Sequence, residues 1–459
     1  MKRALLWLSL VSLGWAQEWT GPLDSIRQHA LESDYSYRFL SRLCHQVGPR
    51  LSGSPAAAAA VDLVAEEMRR LNLKVWRQPC QVPHWVRGRE EAELLEYSGK
   101  PAGVRAPLVL TTLGGSSSTG ARGLEAEVVV VESFAQLEAA QVQGKIVFFN
   151  TRFDQRVADQ GRGGTAYSQS VVYRTRGPAA ASRQGAAACL VRSVGGADYR
   201  LPHTGATSFG EARPLPCAAL SSEDADRIAY LSKQGAVRLH LVLTPETLPD
   251  APSFNIIGDL EGSDPQAEVV IVSGHLDSWD VGTGALDDAS GVATAMQVAQ
   301  TFRALGLKPR RTLRVIGWMN EENGGAGAQT YDKETQGKNH FAAVESDLGC
   351  GHCLGFNCWT PAEWLPALKP VSQALQVVGA SQLESTHGTG ADISPLGVRG
   401  VPCFHPLLDS RTYFHYHHTP ADTVDKVDPA HLRQNGAVLS VLAWALCSMD
   451  RPASPGIPR

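Results

Sequence analysis

No Asn-x-Ser/Thr sequon occurs in the chain, so nothing marks it for N-glycosylation, which fits bacterial export. Positive charge is not in excess either: 42 Lys and Arg stand against 46 Asp and Glu, a net charge of −4, without the basic stripe that neutralises nucleic-acid phosphates. Beyond the first residues no apolar run reaches the roughly 18 residues of a membrane helix, and no membrane insertion is expected. The nine cysteines (Cys44, Cys80, Cys189, Cys217, Cys350, Cys353, Cys358, Cys403 and Cys447) lack the spacing of a small disulfide framework. Their odd number leaves at least one thiol unpaired within the chain. Repeats and low-complexity tracts are missing as well. These absences point to small or peptide-like partners.

What is present is a chain of 459 residues, 43% hydrophobic and 19% charged, ordinary for a soluble globular protein of two to three domains. Lys2 and Arg3, the apolar run Ala4 to Leu13, and the small residues Gly14 and Ala16 form an export leader, with cleavage expected after Ala16. The mature protein is therefore expected to be secreted or periplasmic. From about Asp24 to Leu73 the pattern is helical, and "SGSPAAAAAVDLVAEEMRRLNL" supplies a serine and proline start. "LKVWRQPCQVP" then alternates like a strand.

Between 107 and 245 short β runs such as "EAEVVVV", "GKIVFFN" and "VRLHLVL" alternate with Gly-, Ser- and Arg-rich loops, and this segment reads as an insertion. It separates an N-terminal part, 17–106, from a C-terminal part, 246–459, of one domain; residues 1–16 are the leader. After Ser253 apolar strands alternate with helices, as a largely parallel sheet buried on both faces requires. "PAHLRQNGAVLSVLAWALCSM" closes the chain and reads as an amphipathic helix.

In such sheets ligands gather beyond the carboxyl ends of the strands, and here those ends carry acids and histidines. In "SGHLDSWD", His275 and Asp277 lie two apart where a strand runs out, so both can face one side. The acid can orient the imidazole as a metal ligand, or the histidine can simply be hydrogen-bonded. "GTGALDDASG" ends in Asp287 and Asp288 before a helix: Asp288 or Ser290 caps the helix, while Asp287 either meets solvent or turns inward to bridge cations. Glu321 and Glu322 follow the apolar strand "RTLRVIGW"; buried there, they need water or a positive partner. Asp347 in "AAVESDLG" is a further strand-end acid. "YFHYHHTPADT" brings His415, His417 and His418 within four residues. Two histidines with several carboxylates suit Zn²⁺ with positions left for water and substrate.

The order and context of "GHLDSWDVGTGALDDASG", "WMNEENGG", "ESDLG" and "HHTPADT" resemble the M28 family of co-catalytic zinc peptidases. "YSQSVVYRTRGPAAASRQGAAACLVRSV", "PHTGATSF" and "SGHLDSWDVG" resemble its carboxypeptidase Q-like branch, and the likeness runs from about residue 25 to 450. The resemblance implies an α/β fold with a mixed, largely parallel central sheet flanked by helices, and a protease-associated domain as the insertion. It implies two Zn²⁺ per chain, with His275, Asp287, Glu322, Asp347 and His418 as ligands, Asp287 bridging. Asp277 and Asp422 would orient the two histidines, and Glu321 would be the general base. Many members carry a tyrosine directly before the last ligand to hold the oxyanion; here that place is His417, with Tyr416 one residue back. His387 and Asp392 in "HGTGADIS" are candidates for the substrate cleft.

The expected activity is removal of one residue from dipeptides or short peptides with free termini. An M28 aminopeptidase, a same-fold cyclotransferase and a non-catalytic binding protein are the alternatives. A homodimer is one assembly the sequence leaves open. "CGHC", Cys350 to Cys353, lacks the βαβ setting of a redox motif and is expected to be a local disulfide or a pair of buried thiols. His84, His203 and His405 are expected to be structural, and His415 to pack.

Overall fold

Strand-forming runs in the second half of the chain are apolar at nearly every position, and in the computed structural model they lie inside a sandwich of helices. The structure describes residues 18–196 and 199–453, so the leader and its cleavage point at Ala16 lie outside the described residues. Eight strands build the central sheet: β1 Lys74–Val86, β2 Glu246–Leu260, β3 Val269–His275, β4 Thr312–Trp318, β5 His340–Glu345, β6 Cys353–Trp359, β7 Gln382–Ser385 and β8 Cys403–Leu408. Their spatial order is β1-β2-β4-β3-β5-β8-β6-β7. β4, β3, β5 and β8 run parallel to one another, and antiparallel pairings join β1 to β2, β2 to β4 and β8 to β6. The sheet is mixed with a parallel centre.

Alternation along β3 explains why that centre is buried on both faces. Val270 and Val272 point into a core shared with helices α1 Pro55–Arg70, α2 Ser290–Ala304 and α3 Pro429–Ser448, while Ile271 points into a second cluster with Ile316, Trp318 and Leu396. The start of α1 uses the expected signal: Ser54 Oγ accepts from the Ala57 N–H at 3.1 Å and Pro55 opens the helix. Helix α3 departs from its expected amphipathic form. Leu432 and every residue from Gln434 to Cys447 are buried, because α3 packs on the helix Leu23–Glu32, on α2 and on the sheet together.

A second sheet, also of eight strands, draws on residues from Glu90–Glu96 to Arg238–Leu243 and encloses its own apolar clusters. It begins ahead of residue 107, because Glu90–Glu96 pairs along Arg238–Leu243. The chain leaves the central sheet at the end of β1 and returns at the start of β2, where Val86 pairs with Glu246. At this neck the Arg87 guanidinium reaches Asp280 (2.6 and 2.8 Å), Glu90 (2.7 Å) and the Thr112 carbonyl (2.7 Å). One fully hydrogen-bonded arginine thus ties the second sheet to the loop that follows β3.

All nine cysteines are buried free thiols. Cys350 and Cys353 are among them, and burial pushes both up to about 12, far from a reactive thiolate.

Candidate metal centre

Each parallel strand of the sheet centre leads into acids or imidazoles at or beyond its carboxyl end. β3 ends on His275; β4 runs through Trp318 to Glu321 and Glu322; β5 is followed by Asp347. The segment after β8 brings His417 and His418 back over the same edge, and the turn before α2 adds Asp287. This is the crevice where open α/β sheets bind ligands.

The Asp287 carboxylate lies between two imidazoles. Its Oδ1 is 3.1 Å from His275 Nε2, and its Oδ2 is 3.2 Å from His418 Nε2. Each histidine has a second carboxylate of its own: Asp347 Oδ1 is 3.5 Å from His275 Nε2, and Glu322 Oε2 is 2.9 Å from His418 Nε2. Two half-sites therefore share one bridging acid. His275, Asp287 and Glu322 have ligand atoms within 4.8 Å of one another, as do Asp287, His417 and His418. Two imidazoles and three acids converging in a buried spot are the donor set of a zinc site.

Asp288 also comes within ligand distance of His275 and Asp347. Its oxygens are already used: Oδ2 accepts the His275 N–H (3.1 Å) and Oδ1 the Gly291 N–H (2.9 Å), so it caps α2 and fixes the end of β3. Its neighbour Asp287 is thereby left to face the imidazoles. The peptide bond between the two is cis.

Outer partners set the tautomers. His275 Nδ1 donates to the Asp277 carbonyl at 2.9 Å, which leaves Nε2 free to ligate. The Asp277 carboxylate Oδ1, 4.0 Å from that ring, accepts instead from the Asn320 (2.8 Å) and Glu321 (3.1 Å) N–H groups. Asp422 works in the same indirect way, accepting the N–H groups of Leu286 (2.7 Å) and Asp287 (3.1 Å) rather than touching His418. The ring partner of His418 comes from the second sheet's unit: Nδ1 donates to the Thr204 carbonyl (3.1 Å), and the Thr204 N–H donates back to the His418 carbonyl (3.0 Å). His418 needs that clasp, because its φ of 61° lies in the left-handed region, a strain of about 1–3 kcal/mol.

Crowding of like charges shapes the electrostatics. Burial, reinforced by the charges of Asp347 and Glu322 against the relief from His275, holds the Glu321 carboxyl well above its usual range. Burial and then Asp287 push Glu322 up to about 7. His275 and His418 are pulled down by burial, yet Asp347 and Asp287 around one, and Glu322 and Asp287 around the other, hold both well above the usual imidazole value. So many buried acids against two imidazoles call for added positive charge.

A cavity of about 280 Å³ opens on the cluster, with Asp287, Glu321, Glu322, Asp347, His417 and His418 in its walls. His417 stacks on His418 with ring centroids 3.6 Å apart, and its Nε2 is 3.6 Å from Asp287 Oδ2. Tyr416 is half-buried and outside this cavity, whereas Tyr413 lines it. His387 is exposed and outside it too; Asp392 is buried beside Glu345, whose carboxylate accepts the Ala391 and Ile393 N–H groups. His415 faces Gln155 at 3.2 Å. Thr204 and Tyr413 are the members sequence reasoning missed, and a backbone carbonyl at Thr204 leaves no signal; Asp288, expected as one of two caps for the following helix, does hold the Gly291 N–H.

Residues 255–443 match the model of peptidase family M28. Over 422 residues, 90% of this chain and 86% of the relative, the sequence is 35% identical to human carboxypeptidase Q. The crystal structure of a peptidase M28 precursor from Shewanella amazonensis SB2B, 34% identical, superposes with a TM-score of 0.89 over 97% of this chain and 100% of that one. A zinc aminopeptidase from Bacillus subtilis shares the fold at 20% identity, with a TM-score of 0.65 over 90% of this chain and 95% of its own.

Proposed function

We propose, for a chain that belongs to peptidase family M28 and to its carboxypeptidase Q-like branch, that the centre holds two zinc ions and hydrolyses dipeptides or short peptides with free termini outside the cytoplasm. The observation that carries this reading is the bridge: Asp287 Oδ1 at 3.1 Å from His275 and Oδ2 at 3.2 Å from His418, with Asp347 and Glu322 completing the two halves. His275, Asp347 and Asp287 would hold one ion, and His418, Glu322 and Asp287 the other. When bound, zinc supplies the charge that lowers the pKa of a water toward about 7 and polarises the scissile carbonyl.

The remaining work belongs to the chain's own groups. Glu321, anchored through its N–H on Asp277 and facing the cavity, takes the proton of the attacking water and passes it to the leaving amine. Asp277 and Thr204 hold the two ligand imidazoles in the tautomer with Nε2 inward. His417 is held well below the usual imidazole value by burial and then by His418, and so stays neutral; an N–H of its ring, flat on His418, meets the charge that develops on the carbonyl oxygen. The insertion, assigned from sequence to 107–245 as a protease-associated-like domain, contributes Gly164, Tyr167 and Arg174 to the cavity walls. The leader pattern at residues 1–16 supports export.

A substrate panel tests the reading. Free dipeptides should be hydrolysed, and aminoacyl anilides should be poor substrates. Efficient anilide cleavage with no need for a free carboxylate overturns it in favour of an aminopeptidase.

A further inference from the structure

Arg174 is a buried cation without a counter-ion. It is 5% exposed, it lines the cavity over the metal centre, and among the described residues no carboxylate lies within ion-pair distance of it. Every other charged wall of that cavity is acid or imidazole. Taking a guanidinium out of water without a partner is costly, and proteins keep such a group where a ligand supplies the missing anion.

Its hydrogen bonds are equally incomplete. Nη1 reaches the Thr204 carbonyl at 3.4 Å, and Nε has no partner. His418 Nδ1 is 3.5 Å from Nη1, but that nitrogen already carries the proton it gives to Thr204, so it cannot accept. One shared backbone carbonyl is all that engages a group with five donors.

The seat of the guanidinium is nonetheless built. Helix Gly163–Thr175 buries Gly163, Ala166, Ser170 and Arg174 along one face, which carries Arg174 to the cavity. The guanidinium stands 5.5 Å over the Tyr167 ring. Beneath it Gly205 takes a φ of 139°, and a Cβ there would run into the guanidinium itself. Packing thus fixes the fork while its donors stay free.

We propose that Arg174 is the residue that reads the free α-carboxylate of the substrate. The inference rests on the carboxypeptidase reading and makes it specific. A dipeptide carries one terminus of each sign; Arg174 attracts the carboxylate and repels the ammonium. Consecutive residues are about 3.8 Å apart, so a carboxylate anchored beside His418 sets the bond one residue away over the metal ligands. Cleavage is then confined to the last peptide bond. A charge-assisted fork in a buried wall is worth on the order of 10²-fold in recognition.

The test compares alanyl-leucine with alanyl-leucinamide in the zinc-loaded full chain and in its Arg174→Met and Arg174→Lys variants. Wild type should prefer the acid by on the order of 10²-fold in kcat/KM. In Arg174→Met the acid should lose that factor, mainly through KM, with amide hydrolysis and zinc content unchanged. Arg174→Lys keeps the charge without the fork and should retain part of the preference; it also serves if the methionine variant does not fold. Equal losses on acid and amide, or a drop in zinc content, would mean that Arg174 acts only through His418 and would overturn the proposal. A wild type that prefers the acid together with variants that prefer it as strongly overturns it while leaving the carboxypeptidase reading intact. A wild type indifferent to the carboxylate removes that reading and the role of Arg174 with it.

Discussion

Two adjacent glutamates in the turn that follows β4 behave differently because their carboxylates meet different partners. Glu322 turns to His418 (2.9 Å) and to the Trp279 N–H (3.2 Å), which fits a ligand; Glu321 keeps a cavity-facing carboxylate. Replacing Glu321 by Gln preserves size and removes the proton acceptor. Turnover should fall by about 10²–10⁴-fold with the metal content unchanged, read by steady-state kinetics beside elemental analysis. At this scale the sequence singled out residues that the fold brings together: Asp287, Glu321, Glu322, Asp347 and His418 line one cavity, and His275 is buried 3.1 Å from Asp287. It was silent where a partner is backbone. Asp277 and Asp422 were expected to orient imidazoles through their carboxylates, but those carboxylates hold main-chain N–H groups, and the imidazole acceptors are the carbonyls of Asp277 and Thr204. Thr204 is 214 residues from His418, and no local pattern encodes such a contact.

The elements that carry these residues are set by close approach. Helix α2 follows Asp288 and passes Gly291 against the residue after β5 so tightly that a Cβ at Gly291 would run into the Ser346 carbonyl and the Asp288 carboxylate. Inside an ordinary helix a Gly→Ala change is worth roughly 0.5–1 kcal/mol of stabilisation. Here Gly291→Ala should instead destabilise by about 1–3 kcal/mol, as overpacking does, and lower activity by displacing Asp287. Urea unfolding reads the first effect and kinetics the second; a variant more stable than wild type would show that the contact is not tight. Helix type and position were legible from periodicity and caps, as Ser54 and Pro55 illustrate. Burial was not: α3 has the polar residues Gln434, Asn435 and Ser440 that suggested an exposed face, yet each is buried, Gln434 on the Cys353 N–H and carbonyl and Ser440 on the Gly436 carbonyl.

At the scale of the whole molecule, two sheets meet at a neck held by Arg87, and the second unit supplies Thr204 to the metal centre. The folded chain also buries histidines in neutral form. His340, on β5, is lowered to about 4 by burial first and then by Arg314 and Arg399, and its Nε2 pairs with Tyr331 Oη at 3.0 Å. An ordinary histidine titrates near 6.5. Above that value the contribution of His340 to stability is fully present; between 6.5 and about 4 only the unfolded chain takes up the proton, and stability is lost as pH falls. His340→Gln should reduce the acid loss in this window by about 1.4 kcal/mol per pH unit, seen in urea titrations at stepped pH. An unchanged slope would assign the acid sensitivity elsewhere. The central claim concerns metal, and it rests on Asp287 joining two equivalent halves. Stripping the protein with a chelator, returning zinc by titration and counting ions per chain tests that claim most directly. Two ions bound per chain, with dipeptide hydrolysis restored as the pair fills, is the predicted result; saturation at one ion, or hydrolysis that survives metal removal, contradicts it.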